Sequence, residues 1–242
     1  KCQNSATITG GGSVGGICGA MRNNFTKCVN TGDIKGTGTG VGGICGGIGV
    51  LREDLKGNLS LSYNTGNITG GNQVGGVCGF NNSTVKICYN IGAVSGESES
   101  YVGGVCGSNG GTITYCYYNT EICQEKAAVG NGSKGDNVNG LTTEQMTGKS
   151  GTERAQQMMI GLDEPIWIFK DDEASGSIKY YPHLSAFSST ESPIANGMYI
   201  YTKADLESFS KRVNNGETTL CAKLMNDIVW NEGTFADDGK FT

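Results

Sequence analysis

The sequence has few residues that would interrupt or charge a regular fold, with 3 prolines, 1 histidine and 17% charged residues in 242. Its charge is nearly balanced, at 18 Lys and Arg against 23 Asp and Glu, and it has no basic run. The lack of a basic patch argues against a nucleic-acid groove and against an anionic membrane surface as partner. No apolar run approaches the roughly 20 residues that span a bilayer, so we expect no membrane insertion within this chain.

Glycine, in contrast, is abundant, with 41 residues. This is more than twice the roughly 7% of an ordinary protein. Abundant glycine combined with scarce proline indicates many tight turns, and it argues against both a collagen helix and a disordered coil.

Two short motifs alternate along the first half of the chain. The motif VGG(I/V)CG begins at residues 14, 41, 74 and 102, at spacings of 27, 33 and 28 residues. The second motif, CVNTGDIKG or a variant of it, begins at Cys28, Ser62, Cys88 and, in degenerate form, Cys116. An inserted stretch, GVLREDLKG, accounts for the long spacing. Such a period, with short β-type runs and glycine-rich corners, predicts one turn of a parallel β-helix per repeat.

We therefore predict an all-β solenoid over residues 1–120, in the form of a right-handed, three-sided parallel β-helix with coils of about 27 residues. Residues 121–190 are predicted to be a small α+β cap of helices and strands that plugs the open end of the array. Residues 191–242 predict a strand, a helix and a strand that resemble the start of a further repeat module.

Stacked coils place equivalent residues in ladders that run along the axis. Two cysteine ladders are predicted, one of Cys18, Cys45, Cys78 and Cys106 and one of Cys2, Cys28, Cys88 and Cys116. Ser62 replaces one cysteine, so a rule of one disulfide per coil fails. Buried free thiols that fill the core are our interpretation, although pairing between coils is geometrically allowed. An asparagine ladder of Asn4, Asn30, Asn64 and Asn90 is predicted at a corner.

The repeated unit VGGICGAMRNNFTKCVNTGDIKG resembles the GLUG repeat, although that family usually has Leu-Val where this chain has Ile-Cys or Val-Cys. GLUG repeats occur in large surface proteins of bacteria, including some IgA-cleaving peptidases. The resemblance implies a secreted or cell-surface bacterial protein, located extracellularly or in the cell wall. The chain opens on KCQNSATITG, the tail of a repeat, so we expect the export signal and the anchor to lie outside this sequence.

Some parallel β-helices are polysaccharide-degrading enzymes, whose sites use carboxylates clustered on one outer face. The acidic residues of the repeats here do not recur at equivalent positions. The only histidine, His183, lies far beyond the array, so no base is expected beside a thiol. Zinc would need a short Cys-x-x-Cys pair, which is absent. We predict no enzyme, with no catalytic, metal or cofactor-binding residues and no cofactor.

The predicted function is adhesion, or a rigid spacer that presents binding loops to an unknown surface protein or glycan of a host or a bacterium. The loops at 49–59 and 95–101 depart most from the repeat. Their candidate binding residues are Arg52, Glu53, Asp54, Glu97, Glu99 and Tyr101. A strip of Tyr63, Tyr89, Tyr101, Tyr115, Tyr117 and Tyr118 would either stack on glycan rings or pack at corners. The alternative function is an accessory substrate- or glycan-binding region of a secreted peptidase or glycan-active enzyme whose catalytic domain lies elsewhere.

Overall fold

The structure, a computed structural model, describes residues 1–49, 57–98, 101–124, 126–148, 155–170, 180–187, 197–200, 203–216 and 221–224. In the repeat region each strand pairs in parallel with the equivalent strand of the next coil. Coil-equivalent asparagines are 26, 34 and 26 residues apart, close to the predicted period except where the insertion lies. This stack of parallel sheets confirms the predicted β-solenoid.

Four complete coils come first, and a partial one follows. The first two contain β1 (Cys2–Asn4), β2 (Ile8–Gly10), β3 (Val14–Gly15), β4 (Cys18–Met21), β5 (Phe25–Thr26), β6 (Cys28–Asn30), β7 (Ile34–Gly36), β8 (Thr39–Gly42) and β9 (Cys45–Ile48). The next two contain β10 (Asn58–Asn64), β11 (Ile68–Gly70), β12 (Asn72–Gly75), β13 (Cys78–Asn81), β14 (Thr84–Asn90), β15 (Val94–Gly96), β16 (Val102–Gly103) and β17 (Cys106–Asn109). The partial coil contains β18 (Thr112–Asn119), β19 (Val129–Gly132) and β20 (Asp136–Leu141).

These strands form four parallel sheets, named here A to D in the order in which a coil visits them. Sheet A contains β1, β5, β6, β10, β14, β18 and β20; sheet B contains β2, β7, β11 and β15; sheet C contains β3, β8, β12 and β16; and sheet D contains β4, β9, β13, β17 and β19. Each complete coil thus crosses four sheets, where the sequence predicted three runs.

The fourth strand exists because the glycine pair bends the VGG(I/V)CG motif into two strands. In the second coil, Val41 and Gly42 end a strand of sheet C, and Cys45 opens a strand of sheet D. At this corner the Ile44 carbonyl accepts hydrogen bonds from the backbone nitrogens of both Ile17 (2.9 Å) and Cys18 (3.3 Å) of the previous coil. One motif therefore supplies a strand, a corner and a second strand.

Residues 119–124 and 126–128 follow β18, at the place in the coil where sheets B and C have no further described strand. Cys123 and Tyr118 join the core inside the coils. The Asn90 amide donates to the Cys123 sulfur at 3.4 Å, and the Tyr118 hydroxyl donates to the Lys126 carbonyl at 2.7 Å. These contacts attach the described part of this segment to the inner core of the last coils.

The described residues between 141 and 187, called here the lateral segment, lie along the outer face of sheet A. Their described elements are α1 (Thr143–Met146), a helical turn at 155–158, β21 (Trp167–Ile168), β22 (His183–Leu184) and a 3-10 helix (Ser185–Phe187). They share a second core with sheet A, formed by Val29, Tyr63, Tyr89, Tyr117, Leu141, Met146, Met159, Leu162, Trp167, Tyr181, Leu184 and Phe187. The described residues of this segment thus cover a side of the solenoid, because sheet A presents an apolar outer face, and the cap predicted for the open end by residues 121–190 stays a prediction.

The last described elements follow the predicted order of strand, helix and strand. They are β23 (Gly197–Ile200), α2 (Lys203–Asn214) and β24 (Cys221–Leu224), and the two strands pair in parallel. Within the described ranges, no helix has both the length and the apolar character that a membrane span requires.

Candidate functional site

The asparagine ladder runs through the interior as a continuous chain of side-chain hydrogen bonds. Asn4 donates to Asn30, Asn30 to Asn64 and Asn64 to Asn90, each from Nδ2 to Oδ1 at 2.7 Å. Each Nδ2 also donates to the backbone carbonyl two residues further along its own coil, as Asn64 does to Gly66 at 2.7 Å. Both amide hydrogens are therefore used, and the ladder joins neighbouring coils while it fixes each corner.

The second glycine of the VGG motif makes room for this ladder. A Cβ atom built on Gly16, Gly43 or Gly76 would lie 2.4 Å from the Cγ atom of Asn30, Asn64 or Asn90, respectively. In the next coil, Gly104 faces the Tyr118 ring instead, with 2.2 Å from its built Cβ to Cδ2. The two sequence motifs are thus complementary, since the glycine of one leaves the space that the asparagine of the other occupies.

A second asparagine pair lies at the end of the sheet D strands, and sequence reasoning missed it. Asn81 donates to Asn109 at 2.8 Å, and Asn109 donates to the Ser133 carbonyl at 2.7 Å. The signal was an Asn three residues after the motif cysteine, but only in the third and fourth copies. The first two copies have the apolar residues Met21 and Ile48 there, so the repeat pattern concealed it.

The cysteine ladder of sheet D has Cys18, Cys45, Cys78 and Cys106 in direct register. The sulfurs of Cys18 and Cys45 are 3.3 Å apart. Cys18 is partly exposed, whereas the other three are buried. The hydrogen bond with Cys45 lowers the pKa of Cys18, and the same contact together with burial raises the pKa of Cys45. The hydrogen bond with Cys106, followed by burial, raises the pKa of Cys78.

The cysteine ladder of sheet A follows a kink in each strand. Kink residues Lys27, Leu61, Ile87 and Tyr115 have φ of 57°, 51°, 54° and 52°. The side chain of the residue that follows each kink donates a hydrogen bond to the backbone carbonyl two residues before it. Ser62 Oγ donates to the Ser60 carbonyl at 2.7 Å. The Cys88 and Cys116 thiols donate to the carbonyls of Lys86 and Thr114, respectively, each at 3.3 Å. Ser62 therefore makes the same bond as the cysteines that it replaces. All nine cysteines whose side chains are described are free thiols.

The tyrosine strip is not a continuous exposed surface. Tyr63 and Tyr89 stack with ring centroids 4.9 Å apart and an interplanar angle of 2°. Trp167 of the lateral segment tilts against both rings, at 6.0 and 5.7 Å, and all three side chains are buried. Tyr117 is also buried beneath this segment, and Tyr118 lies in the inner core. Tyr101 is half-buried and Tyr115 is 37% exposed, so the packing alternative describes four of the six.

Four of the six candidate binding residues, Arg52, Glu53, Asp54 and Glu99, lie outside the described residues. Glu97 is described and exposed, and its backbone nitrogen donates to the Gly71 carbonyl at 2.9 Å. The Tyr101 nitrogen donates to the Ser98 carbonyl at 3.0 Å. The first bond attaches the loop to the preceding coil, and the second lies within the loop.

His183 packs in the lateral segment, where it is 8% exposed. Burial, with a smaller contribution from Lys170, lowers the pKa of His183. Among the described residues, no three His, Cys, Asp or Glu side chains converge as a metal site would require.

These features define the class of the protein, a parallel β-helix repeat protein with an interior of thiols and amides. Comparison of the chain with protein-family models, with curated proteins and with solved structures finds no match in any of the three.

Proposed function

We propose that this chain is a non-enzymatic module of a secreted or cell-surface bacterial protein, of the GLUG-repeat type, which acts in adhesion or as a rigid spacer that presents binding loops. The observation that carries the proposal is the uninterrupted bonding of each coil to the next. Four sheets, the asparagine ladder and the apolar core all cross every interface between complete coils. Bending the stack would strain all of these contacts together, so the array is expected to be stiff.

The solenoid also accommodates an insertion without loss of register. The bond between Asn30 and Asn64 spans 34 residues, and the bond between Asn64 and Asn90 spans 26, yet both are 2.7 Å long. The extra residues therefore leave the ladder unchanged. A scaffold of this kind allows a loop to vary in sequence and length while the rod keeps its shape, which suits the presentation of a binding loop.

The buried positions of the tyrosines direct the test to the loops. Binding of the purified chain would be measured on an array of bacterial and host glycans and on intact host and bacterial cells. A variant with Arg52, Glu53 and Asp54 all changed to Ala would be compared with a control in which the exposed strand residues Lys35 and Lys86 are changed to Ala. We expect the loop variant to lose binding and the control to retain it, with unchanged circular dichroism in both.

Two outcomes would overturn the proposal. One is binding that the loop variant and a deletion of residues 50–56 both retain in full, which would place the binding site elsewhere. The other is turnover of a glycan or a peptide by the purified chain, which would make the module an enzyme. Small-angle scattering in solution would test the rod separately from binding, because a stiff array keeps the same dimensions with and without the loop.

A further inference from the structure

We propose that Cys18 and Cys45 form a redox-active dithiol, which low-molecular-weight disulfides such as oxidised glutathione convert to a disulfide that joins the first two coils. The two residues are direct partners on the parallel strands β4 and β9, and their sulfurs are 3.3 Å apart. Neighbouring strands are about 4.8 Å apart, within the Cα separation of roughly 4.4–6.8 Å that disulfides require.

Solvent access distinguishes this pair from the other thiols of the ladders. The Cys18 side chain is partly exposed. Cys78 and Cys106 also interact through their side chains, but both are 0% exposed. A dissolved disulfide can therefore reach Cys18, whereas it cannot reach the deeper pair while the coils stay stacked.

Cys2 and Cys28 provide a matched comparison within the same chain. They are direct partners on β1 and β6, and Cys2 is exposed. The Cys28 thiol, however, donates to the Thr26 carbonyl at 3.7 Å rather than to Cys2. Like the proposed site, this pair joins equivalent residues of neighbouring coils and includes an accessible thiol. It differs in that its two sulfurs are not in contact.

The reaction consists of two thiol–disulfide exchanges. The Cys18 thiolate, which the Cys45 hydrogen bond favours, attacks one sulfur of oxidised glutathione and releases one glutathione thiolate, which takes up a proton. The Cys45 thiol then loses its proton and attacks the Cys18 sulfur, which forms the Cys18–Cys45 bond and releases the second glutathione. Two protein thiols are oxidised and one glutathione disulfide is reduced to two thiols.

The product is expected to be readily reversible. The sulfurs must close from 3.3 Å to about 2.05 Å, and Cys18 leaves the product partly accessible to solvent. Accessible disulfides are reduced more easily than buried structural ones. The pair is therefore expected to follow the thiol–disulfide balance of its surroundings.

In the test, the folded full chain is incubated with oxidised glutathione without denaturant, and the reaction is stopped with acid. The remaining free thiols are then alkylated, and the crosslinks are located by peptide mapping with mass spectrometry. We expect a Cys18–Cys45 crosslink with no glutathione left on either residue, and its full reversal by reduced glutathione. The Cys45→Ser variant should stop at a mixed disulfide of glutathione on Cys18, and Cys18→Ser should give no crosslink. The Cys2→Ser variant should form the same crosslink as the native chain. Because Cys2 and Cys18 lie on one tryptic peptide, this variant leaves Cys18 as the only cysteine of that peptide.

Serine is a safe replacement, because Ser62 already occupies a rung of the other ladder, and circular dichroism would check each fold. A Cys2–Cys28 crosslink formed in preference would overturn the proposal. The proposal would also fail if, in the Cys45→Ser variant, Cys18 gained glutathione no faster than Cys2. It would fail as well if the native chain lost no thiols until urea unfolded it.

Discussion

The asparagine ladder gives the sharpest test of how the coils are joined. Asn64→Asp replaces one amide nitrogen by oxygen at a side chain that is 0% exposed, with almost no change of shape. Asn64 Nδ2 donates to the Gly66 carbonyl and to Asn90 Oδ1, each at 2.7 Å. A carboxylate cannot donate, so the new oxygen would face two acceptors at hydrogen-bond distance, in the interior.

The expected cost follows from these two bonds. Each is worth about 1 kcal/mol net, and each buried acceptor left without a donor costs about 1–3 kcal/mol more. The loss is thus about 4 kcal/mol or more, from a total that is typically about 5–15 kcal/mol. Burial raises the pKa of the new carboxyl above its unfolded value of about 3.9. The cost is therefore smallest below about pH 3.9 and grows as pH rises through the folded pKa.

Urea unfolding at pH 7 and pH 4, followed by circular dichroism and tryptophan fluorescence, measures both effects. Asn139→Asp is the control, because Asn139 is exposed on β20 and should change stability by less than about 0.5 kcal/mol. The Asn64→Asp variant should unfold at a much lower urea concentration than the control at pH 7, and the gap should narrow at pH 4. Equal midpoints for the two variants at pH 7, or a gap that widens on acidification, would refute the reasoning.

Three further predictions follow from the packing. Gly76→Ala places a Cβ 2.1 Å from the Gly104 carbonyl and should cost more than about 2 kcal/mol in urea unfolding, whereas Gly12→Ala, with open space around it, should cost little. Trp167→Ala should cost about 3–5 kcal/mol and make the lateral segment sensitive to limited proteolysis while the solenoid keeps its circular dichroism; a segment that stays protected contradicts this. Burial raises the pKa of Cys123 to about 12, so its contribution to stability is complete below the unfolded pKa of about 9 and is lost as pH rises towards 12. The urea concentration at the unfolding midpoint should therefore decrease as the pH is raised from 9 to 11, and it should decrease less steeply for the Cys123→Ala variant. Equal pH dependence in the two proteins would contradict this prediction.

The axial organisation could be predicted from the sequence because a solenoid repeats by translation. Once VGG(I/V)CG and its companion motif are aligned, equivalent residues must lie above one another, and the registers of Cys18 with Cys45 and of Asn64 with Asn90 follow directly. The path within one coil could not be predicted in the same way. The choice between three strands and four depends on whether the glycine pair bends the chain, and a residue that permits a bend does not require one.

The kinks in sheet A show a second limit of sequence reasoning. Lys27, Leu61, Ile87 and Tyr115 share a positive φ, yet none of them belongs to a residue type that favours this conformation. The kink recurs at the equivalent position of successive coils, whichever residue stands there. The residue type at the kink therefore does not predict it.

The position of the lateral segment did have a signal that was open to sequence reasoning. In CVN, SYN, CYN and CYY, the middle residue lies between two inward-facing positions of a strand, so it must face outward. Val29, Tyr63, Tyr89 and Tyr117 therefore form an apolar column on the outside of sheet A. A column of three tyrosines and a valine is costly to leave in water, so the alternation predicts a covering element on that side.

The kinks also explain why cysteine and serine share one position of the repeat. A strand that passes through a positive φ brings the carbonyl two residues back close to the side chain that follows the kink, and only a short donor can reach it. Both Ser62 and Cys88 make this bond, at 2.7 and 3.3 Å. In β20 the kink persists at Asn137, with Val138 after it, so the donor supports the kink without being required for it. Most of the described thiols are thus small core residues that also bond to the backbone, and the contact between the sulfurs of Cys18 and Cys45 is what sets that pair apart as the proposed redox site.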